Sequence, residues 1–362
     1  MKLRLALPLA ALAGLALPAS ALAGGHAGAV YTLSNAPGGN RVVVLSRAGN
    51  GRLSWRHSVA TGGRGTGANL GSQGALTLAG SRLFAVNAAS NTLTLLGARG
   101  THVWRHQVVA SGGTLPTSVS AGRGLVYVLN AGGTPNVTGF RITRHGLVRI
   151  AGGRRRLAAG DEAPPQVSLN PRASALVVTN KSSNTIDTFT VARDGRLGRA
   201  VSHPSAGATP FGFAFTRRGT LVVSDAGTAP TSAASSYRVT RSGALQHLFG
   251  PAQTHQAAAC WVAVTPDGRY AYTANAGSGT ISGFRVRADG RLSLLDVSGE
   301  SADTGAGSHP LDEAVTRSGR FFYVLADGDH AIAGFRVHAD GSLSPAGVVG
   351  GLRAGDVGVA AR

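Results

Sequence analysis

The sequence predicts an all-β chain of seven four-stranded antiparallel meanders closed into a ring. Three observations predict it: a self-similar unit recurs every 43 to 52 residues, Gly occupies 53 of 362 positions, and 43% of residues are hydrophobic against 14% charged. That glycine share is about twice the usual one and has no Gly-X-Y period, which excludes collagen and favours many tight turns. So apolar a chain with so few charges can build a core and is not intrinsically disordered.

The clearest copy of the unit runs from Cys260 to Asp296, through Trp261-Val-Ala-Val-Thr-Pro-Asp-Gly-Arg-Tyr-Ala-Tyr-Thr-Ala-Asn275, then Ile281-Ser-Gly-Phe284 and Ala288-Asp-Gly290. Its neighbour repeats the ending as Ile332-Ala-Gly-Phe335-Arg-Val-His-Ala-Asp-Gly341-Ser-Leu343. Taken in order, the position of Asn275 is filled by Asn35, Asn87, Asn130, Asn180, Asp225, Asn275 and Ala326. Each is followed by an apolar residue of a strand pattern, at Val44, Leu96, Phe140, Phe189, Tyr237, Phe284 and Phe335. A Gly-Leu or Gly-x-Leu turn comes next in six copies, at Gly51, Gly146, Gly195, Gly243, Gly290 and Gly341. Four short apolar or alternating runs separated by Gly, Asn or Asp turns describe an antiparallel meander.

One meander cannot bury both of its faces, and seven stacked about an axis can, which is the arrangement of a β-propeller. The first unit starts directly at Ala29-Val-Tyr-Thr and lacks an inner strand, while Gly355-Asp-Val-Gly-Val-Ala-Ala361 is left over at the other end. The leftover is expected to complete the first blade and so remove the open sheet edges of a linear solenoid.

Ahead of the repeat, Lys2 and Arg4 precede an apolar run from Leu5 to Leu17, then Pro18 and the small-residue site Ala21-Leu22-Ala23. This pattern reads as a secretory leader, and the run is shorter than the roughly 20 residues that span a bilayer. The expected organisation is a leader over residues 1–23 and one propeller domain over 24–362, monomeric, periplasmic or secreted, with no membrane span in the mature chain. Cys260 alone cannot form an internal disulfide, and its apolar run marks it as a small core residue rather than a nucleophile.

The formal charge is +19, and the first acidic residue is Asp161. A basic chain raises the possibility of polyanion binding, whose affinity would fall steeply with salt. The cations, however, are almost all Arg and are scattered singly apart from Arg154-Arg155-Arg156, so no specific nucleic-acid partner is expected.

The repeat also maps a site. Residues that begin each inner strand, and those that follow each aligned Asn, collect at one end of the axis. This groups Gln73, Asn180, Lys181, Phe211, Asp225, Trp261, His309, Asp312 and Glu313. The recurrent Asn suits a turn or cap. His309-Pro-Leu-Asp312-Glu313 has no counterpart in the other units and brings an imidazole and two carboxylates, which can serve as acid and base or as a solvated rim. Phe211 and Trp261 can stack on a ring or wedge between blades. Asp327-Gly-Asp329 offers too few oxygens for a calcium cage. No serine-elbow, zinc-protease, phosphate-loop or paired-cysteine motif occurs, so no metal or cofactor is expected.

The run Gln256 to Phe284, with Ala206-Gly-Ala-Thr-Pro210-Phe211-Gly-Phe-Ala-Phe and Gly67-Ala-Asn69-Leu-Gly-Ser-Gln73-Gly, resembles the exported branch of the lactonase family. These are seven-bladed propellers related to bacterial 6-phosphogluconolactonase and fungal carboxymuconate lactonizing enzyme. The resemblance implies hydrolysis of a small, sugar-derived cyclic ester, and it also implies a His-x-His, an Arg-His and a Glu in the central blades. Here those places read Pro165-Gln166-Val167, Pro210-Phe211-Gly212, and Asn180-Lys181 or Asp225-Ala226. The expected chemistry is a water activated by His309 or Asp225, an oxyanion held by Lys181, and a ring oriented by Gln73, Asn180, Phe211, Trp261, Asp312 and Glu313. The alternative is a non-catalytic binding or scaffold propeller of the envelope.

Overall fold

The computed structural model describes residues 27–158 and 163–362. The leader, the cleavage site after Ala23 and Asp161 lie outside the described residues. Every regular element among those described is a strand, and no helix there is long and apolar enough to cross a membrane.

The first blade contains β1 (Gly28–Leu33), β2 (Arg41–Arg47) and β3 (Leu53–Ala60), and the second β4 (Leu76–Ala79), β5 (Arg82–Asn87), β6 (Thr92–Arg99) and β7 (His102–Ala110). The third holds β8 (Thr114–Gly122), β9 (Leu125–Gly132), β10 (Asn136–Thr143) and β11 (Gly146–Arg156), and the fourth β12 (Gln166–Leu169), β13 (Ala175–Asn180), β14 (Thr185–Thr190) and β15 (Val201–Pro204). The fifth holds β16 (Pro210–Phe215), β17 (Thr220–Asp225), β18 (Ala233–Val239) and β19 (Leu245–Gln253). The sixth is formed by β20 (Ala259–Val264), β21 (Tyr270–Asn275), β22 (Thr280–Val286), β23 (Leu292–Leu294) and β24 (Ala302–Asp303). The seventh holds β25 (Pro310–Val315), β26 (Phe321–Ala326), β27 (Ala331–Val337) and β28 (Leu343–Val349), and the chain ends in β29 (Val357–Ala361).

Each blade is one antiparallel sheet, and the order β29-β1-β2-β3 shows the ring closed by the last strand, as the leftover run predicts. Tyr31 pairs with Ala360 and Thr32 with Val359 across that seam. Buried Arg47 seals it by donating to the Arg362 carbonyl at 3.1 Å and the Ala27 carbonyl at 3.0 Å. The sixth blade departs from four strands, because β23 and β24 both pair with β22 and so divide its outer edge into two short pieces.

The two recurrent sequence signals have separate structural jobs. The aligned Asn ties the end of the second strand to the third: Asn275 Nδ2 donates to Thr280 and Ser282, and Asn87 Nδ2 to Thr92 and Thr94. The turn glycines join one blade to the next. Tyr272 donates to the Gly341 carbonyl at 2.8 Å, Tyr127 to Gly195 at 2.7 Å, and Tyr323 to Gly51 at 2.7 Å. Gly341 has φ +93°, and a Cβ there would sit 2.4 Å from the Tyr270 ring, so both backbone shape and close packing require glycine. Apolar side chains of successive sheets, such as Tyr272, Phe322 and Phe335, interlock between the blades.

Candidate functional site

The inner strands β29, β4, β8, β12, β16, β20 and β25 surround the axis. At the end where these strands begin, the segment from Gly71 to Gly74 crosses the axis and is held from several blades. Ser72 Oγ donates to the Thr117 carbonyl, Gln73 N to the Pro165 carbonyl, and Trp261 Nε1 to the Ser72 carbonyl, each at 3.0 Å. The Gln73 amide acts as a peptide unit, donating to the Val262 carbonyl at 2.7 Å and accepting from Val262 N at 3.0 Å. Gln166 does the same for Phe213, at 2.9 and 2.6 Å. Gly212 makes room for the crossing, since a Cβ there would stand 2.1 Å from Gln73 Oε1.

The same plug takes up the aromatic and cationic candidates. Phe211 and Trp261 are buried with ring centroids 5.0 Å apart. Lys181 Nζ lies 4.7 Å from the Phe211 ring centroid and donates to the Gly71 carbonyl at 3.0 Å. Burial lowers the Lys181 pKa and pushes the Cys260 thiol up to about 12, which keeps that thiol protonated.

The structure places Gln73, Lys181, Phe211 and Trp261 together and sets the remaining candidates elsewhere. Asn180 is fully buried and donates to Thr185, the hairpin contact that Asn87, Asn130 and Asn275 also make. Asp225 is fully buried too, and its Oδ2 accepts from Ser235, the counterpart of Ser282 beside Asn275. Burial raises the Asp225 pKa to about 7, with the Ser235 and Ser205 hydroxyls opposing it. His309 is exposed on the rim, its Nδ1 3.1 Å from the Ala276 carbonyl.

Asp312 and Glu313, from β25, line an axial cavity of about 460 Å³. The cavity runs from Gln73 and Gln166 along the inner strands to Arg123, Asn170 and Pro171, so it lies on the hairpin side of the plug. Its walls are mostly strand backbone and small side chains, and among the described residues Arg123, Asp312 and Glu313 are the only charged ones that line it. Asp312 Oδ1 accepts the Gly74 amide and Oδ2 the Gly358 amide, both at 3.0 Å. Burial raises its pKa to about 6, and those two amides oppose the rise. Glu313 is 6% exposed, and neither carboxyl oxygen has a well-aligned hydrogen-bond partner among the described residues. Burial, assisted by the Asp312 charge, pushes its pKa well above the usual carboxyl range, and the Ala263 amide offsets this only in part.

Two adjacent carboxyls therefore differ in setting: Asp312 is anchored by two amides, and Glu313, less well supported, is pushed further towards its protonated form. Such a pair can accept a proton at one oxygen and donate a hydrogen bond from another. The repeat marked Asp312 and Glu313 as unusual, but nothing in it showed that the cavity opens at the hairpin end. Gly74 and Gly358, whose amides hold Asp312, carried no signal, because a backbone donor has no residue type.

Residues 217–355 match the family described as "Lactonase, 7-bladed beta-propeller". Comparison with curated proteins gives no match. Among solved structures, a protein of Bacteroides uniformis provisionally described as a 6-phosphogluconolactonase superposes with TM-score 0.73 at 16% identity, over 92% of this chain and 99% of that one. The periplasmic gluconolactonase PpgL of Pseudomonas aeruginosa gives TM-score 0.70 at 14% identity, over 92% and 98%. A protein of unknown function from Desulfotomaculum acetoxidans gives 0.70 at 13%, over 92% and 98%. At these identities the likenesses carry the fold alone. With its ring of seven sheets and its closing strand, the chain is a seven-bladed β-propeller, and its residues 217–355 are similar to the lactonase family.

Proposed function

We propose that this propeller hydrolyses a small cyclic ester in its axial cavity, and that Asp312 and Glu313 carry the chemistry. The observation that supports this most directly is the Glu313 carboxyl, buried beside the cavity with no well-aligned hydrogen-bond partner among the described residues. A buried carboxyl at a cavity wall without a well-aligned protein partner is placed to bond to whatever enters the cavity. In this reading the Asp312 carboxylate accepts a proton from water as that water attacks the lactone carbonyl carbon. Glu313 donates a hydrogen bond to the carbonyl oxygen as negative charge develops there. The ring C–O bond then breaks, the proton passes to the departing ring oxygen, and a hydroxy acid leaves. The name of the Pseudomonas neighbour makes sugar-derived lactones the first class to test.

Hydrolysis of a lactone panel by residues 24–362, followed by pH-stat, tests the proposal. Glu313→Leu removes the hydrogen-bond donor at similar volume, and kcat is expected to fall at least about 100-fold, the lower range for a lost oxyanion donor. Full turnover by that folded variant would sink this mechanism, and silence across the panel would sink the lactonase reading. We also propose that the chain is exported and cleaved after Ala23, on the basis of its leader pattern. The intact mass of protein recovered from the envelope or medium should start at Gly24, and a mass that retains the leader would contradict this.

A further inference from the structure

The hairpins that join each inner strand to its neighbour gather at the mouth of the axial cavity, and they carry a marked excess of one charge. In the second to seventh blades they hold Arg82, Arg123, Arg172, Arg217 with Arg218, Arg269, and Arg317 with Arg320, against the single acid Asp267. The excess is densest between the fourth and fifth blades. There Arg172, Arg217 and Arg218 from two hairpins meet Arg238 and Arg241 from the end of β18 around a cleft of about 310 Å³. Among the described residues, no Asp or Glu lines that cleft. All five guanidinium groups are exposed, and none is in an ion pair among the described residues, where the one pair recorded is Arg196–Asp194.

Five like charges in one concave site repel one another, and a bound anion removes that cost. The planar guanidinium fork matches a tetrahedral oxyanion through two parallel hydrogen bonds, a fit that a lone Arg on a flat surface cannot multiply. The cleft has the size of a small-ligand pocket. We infer that it binds a polyvalent phosphate-type oxyanion, at a site separate from the acidic depth of the axial cavity. The same chemistry is available from a free oligophosphate or from a phospholipid headgroup.

Titration calorimetry of residues 24–362 with sodium tripolyphosphate, and co-sedimentation with phosphatidylglycerol against phosphatidylcholine vesicles, distinguish the two sources. Arg217→Gln with Arg238→Gln removes two cleft charges. Arg149→Gln with Arg154→Gln removes two exposed charges on β11 and serves as the control. The cleft variant should weaken tripolyphosphate binding at least about tenfold while the control loses less than about twofold, as expected for charge-assisted contacts against general attraction. Loss confined to tripolyphosphate identifies a free anion, and loss confined to anionic vesicles identifies a headgroup. Equal loss in both variants, or no binding to either probe, overturns the inference. Melting temperatures of both variants guard against unfolding as the cause.

Discussion

Replacing Asp312 with alanine lowers the melting temperature by on the order of 5–10 °C, the consequence of losing about 3 kcal/mol in a chain of this length. Asp312 accepts one amide from Gly74, in the segment that plugs the axis, and one from Gly358, in the strand that closes the ring. Without the carboxyl, two buried N–H groups lose their acceptor, which costs about 1–3 kcal/mol each. Relief of carboxylate burial, visible in a pKa raised to about 6, returns part of that loss. The closing strand should also become easier to detach, so limited proteolysis should cut first near Gly351 to Gly355. Calorimetry settles the matter: a shift under about 2 °C would mean that water from the axial cavity replaces the side chain, and that closure rests on the β1–β29 ladder and Arg47.

The second large effect is a loss of stability as pH rises. Burial raises the carboxyl pKa to about 7 in Asp225, about 6 in Asp312 and about 7 in Asp356, and raises Glu313 well above its usual range. A carboxyl whose folded pKa exceeds its unfolded value binds more protons in the folded state, so stability falls with pH between the two values. The window thus opens near pH 4, where unfolded Asp ionises, and closes near pH 7 for the three aspartates. Each unit of separation is about 1.4 kcal/mol, so even one unit per aspartate totals about 4 kcal/mol and on the order of 10 °C. Acid also adds positive charge to a chain that already carries +19, so the melts are run at constant ionic strength near 0.3 M to screen repulsion. Melting at pH 5 should occur well above melting at pH 8, and Asp225→Asn should flatten the curve by stabilising the pH 8 form. A flat or rising profile between those pH values would show that the buried acids find compensation in the folded state.

Much of the fold was legible because it is written in residue types that few other environments tolerate. The turn glycines adopt positive φ, at Gly51 and Gly341 under a neighbouring ring, and the aligned Asn bonds a hairpin partner in most blades, as Asn275 does with Thr280. These features recur in most blades at a regular spacing, so period and blade number could be counted. The same recurrence supports the structural reading of the Asn positions and extends it to Asp225, which holds Ser235 as the others hold Thr or Ser.

The candidate site was less legible, since side chains that share an end of the axis can still do different work. Gln73, Lys181, Phe211 and Trp261 all sit where the repeat places them, yet they pack into a plug that spans the axis. Gln73 reaches Val262, 189 positions away, because Gly71 to Gly74 leaves the blade and crosses to the far wall. No periodicity encodes such a crossing, because it occurs once.

The sequence by itself determined the seven blades, their strand order and the closure by the last strand, because each rests on local backbone demands repeated along the chain. Only the tertiary structure decided which end of the axis is sealed, that Asp312 is anchored while Glu313 stands without a well-aligned partner, and that five arginines share one cleft. Those outcomes depend on burial and on backbone amides from distant blades, and neither leaves a mark on residue type.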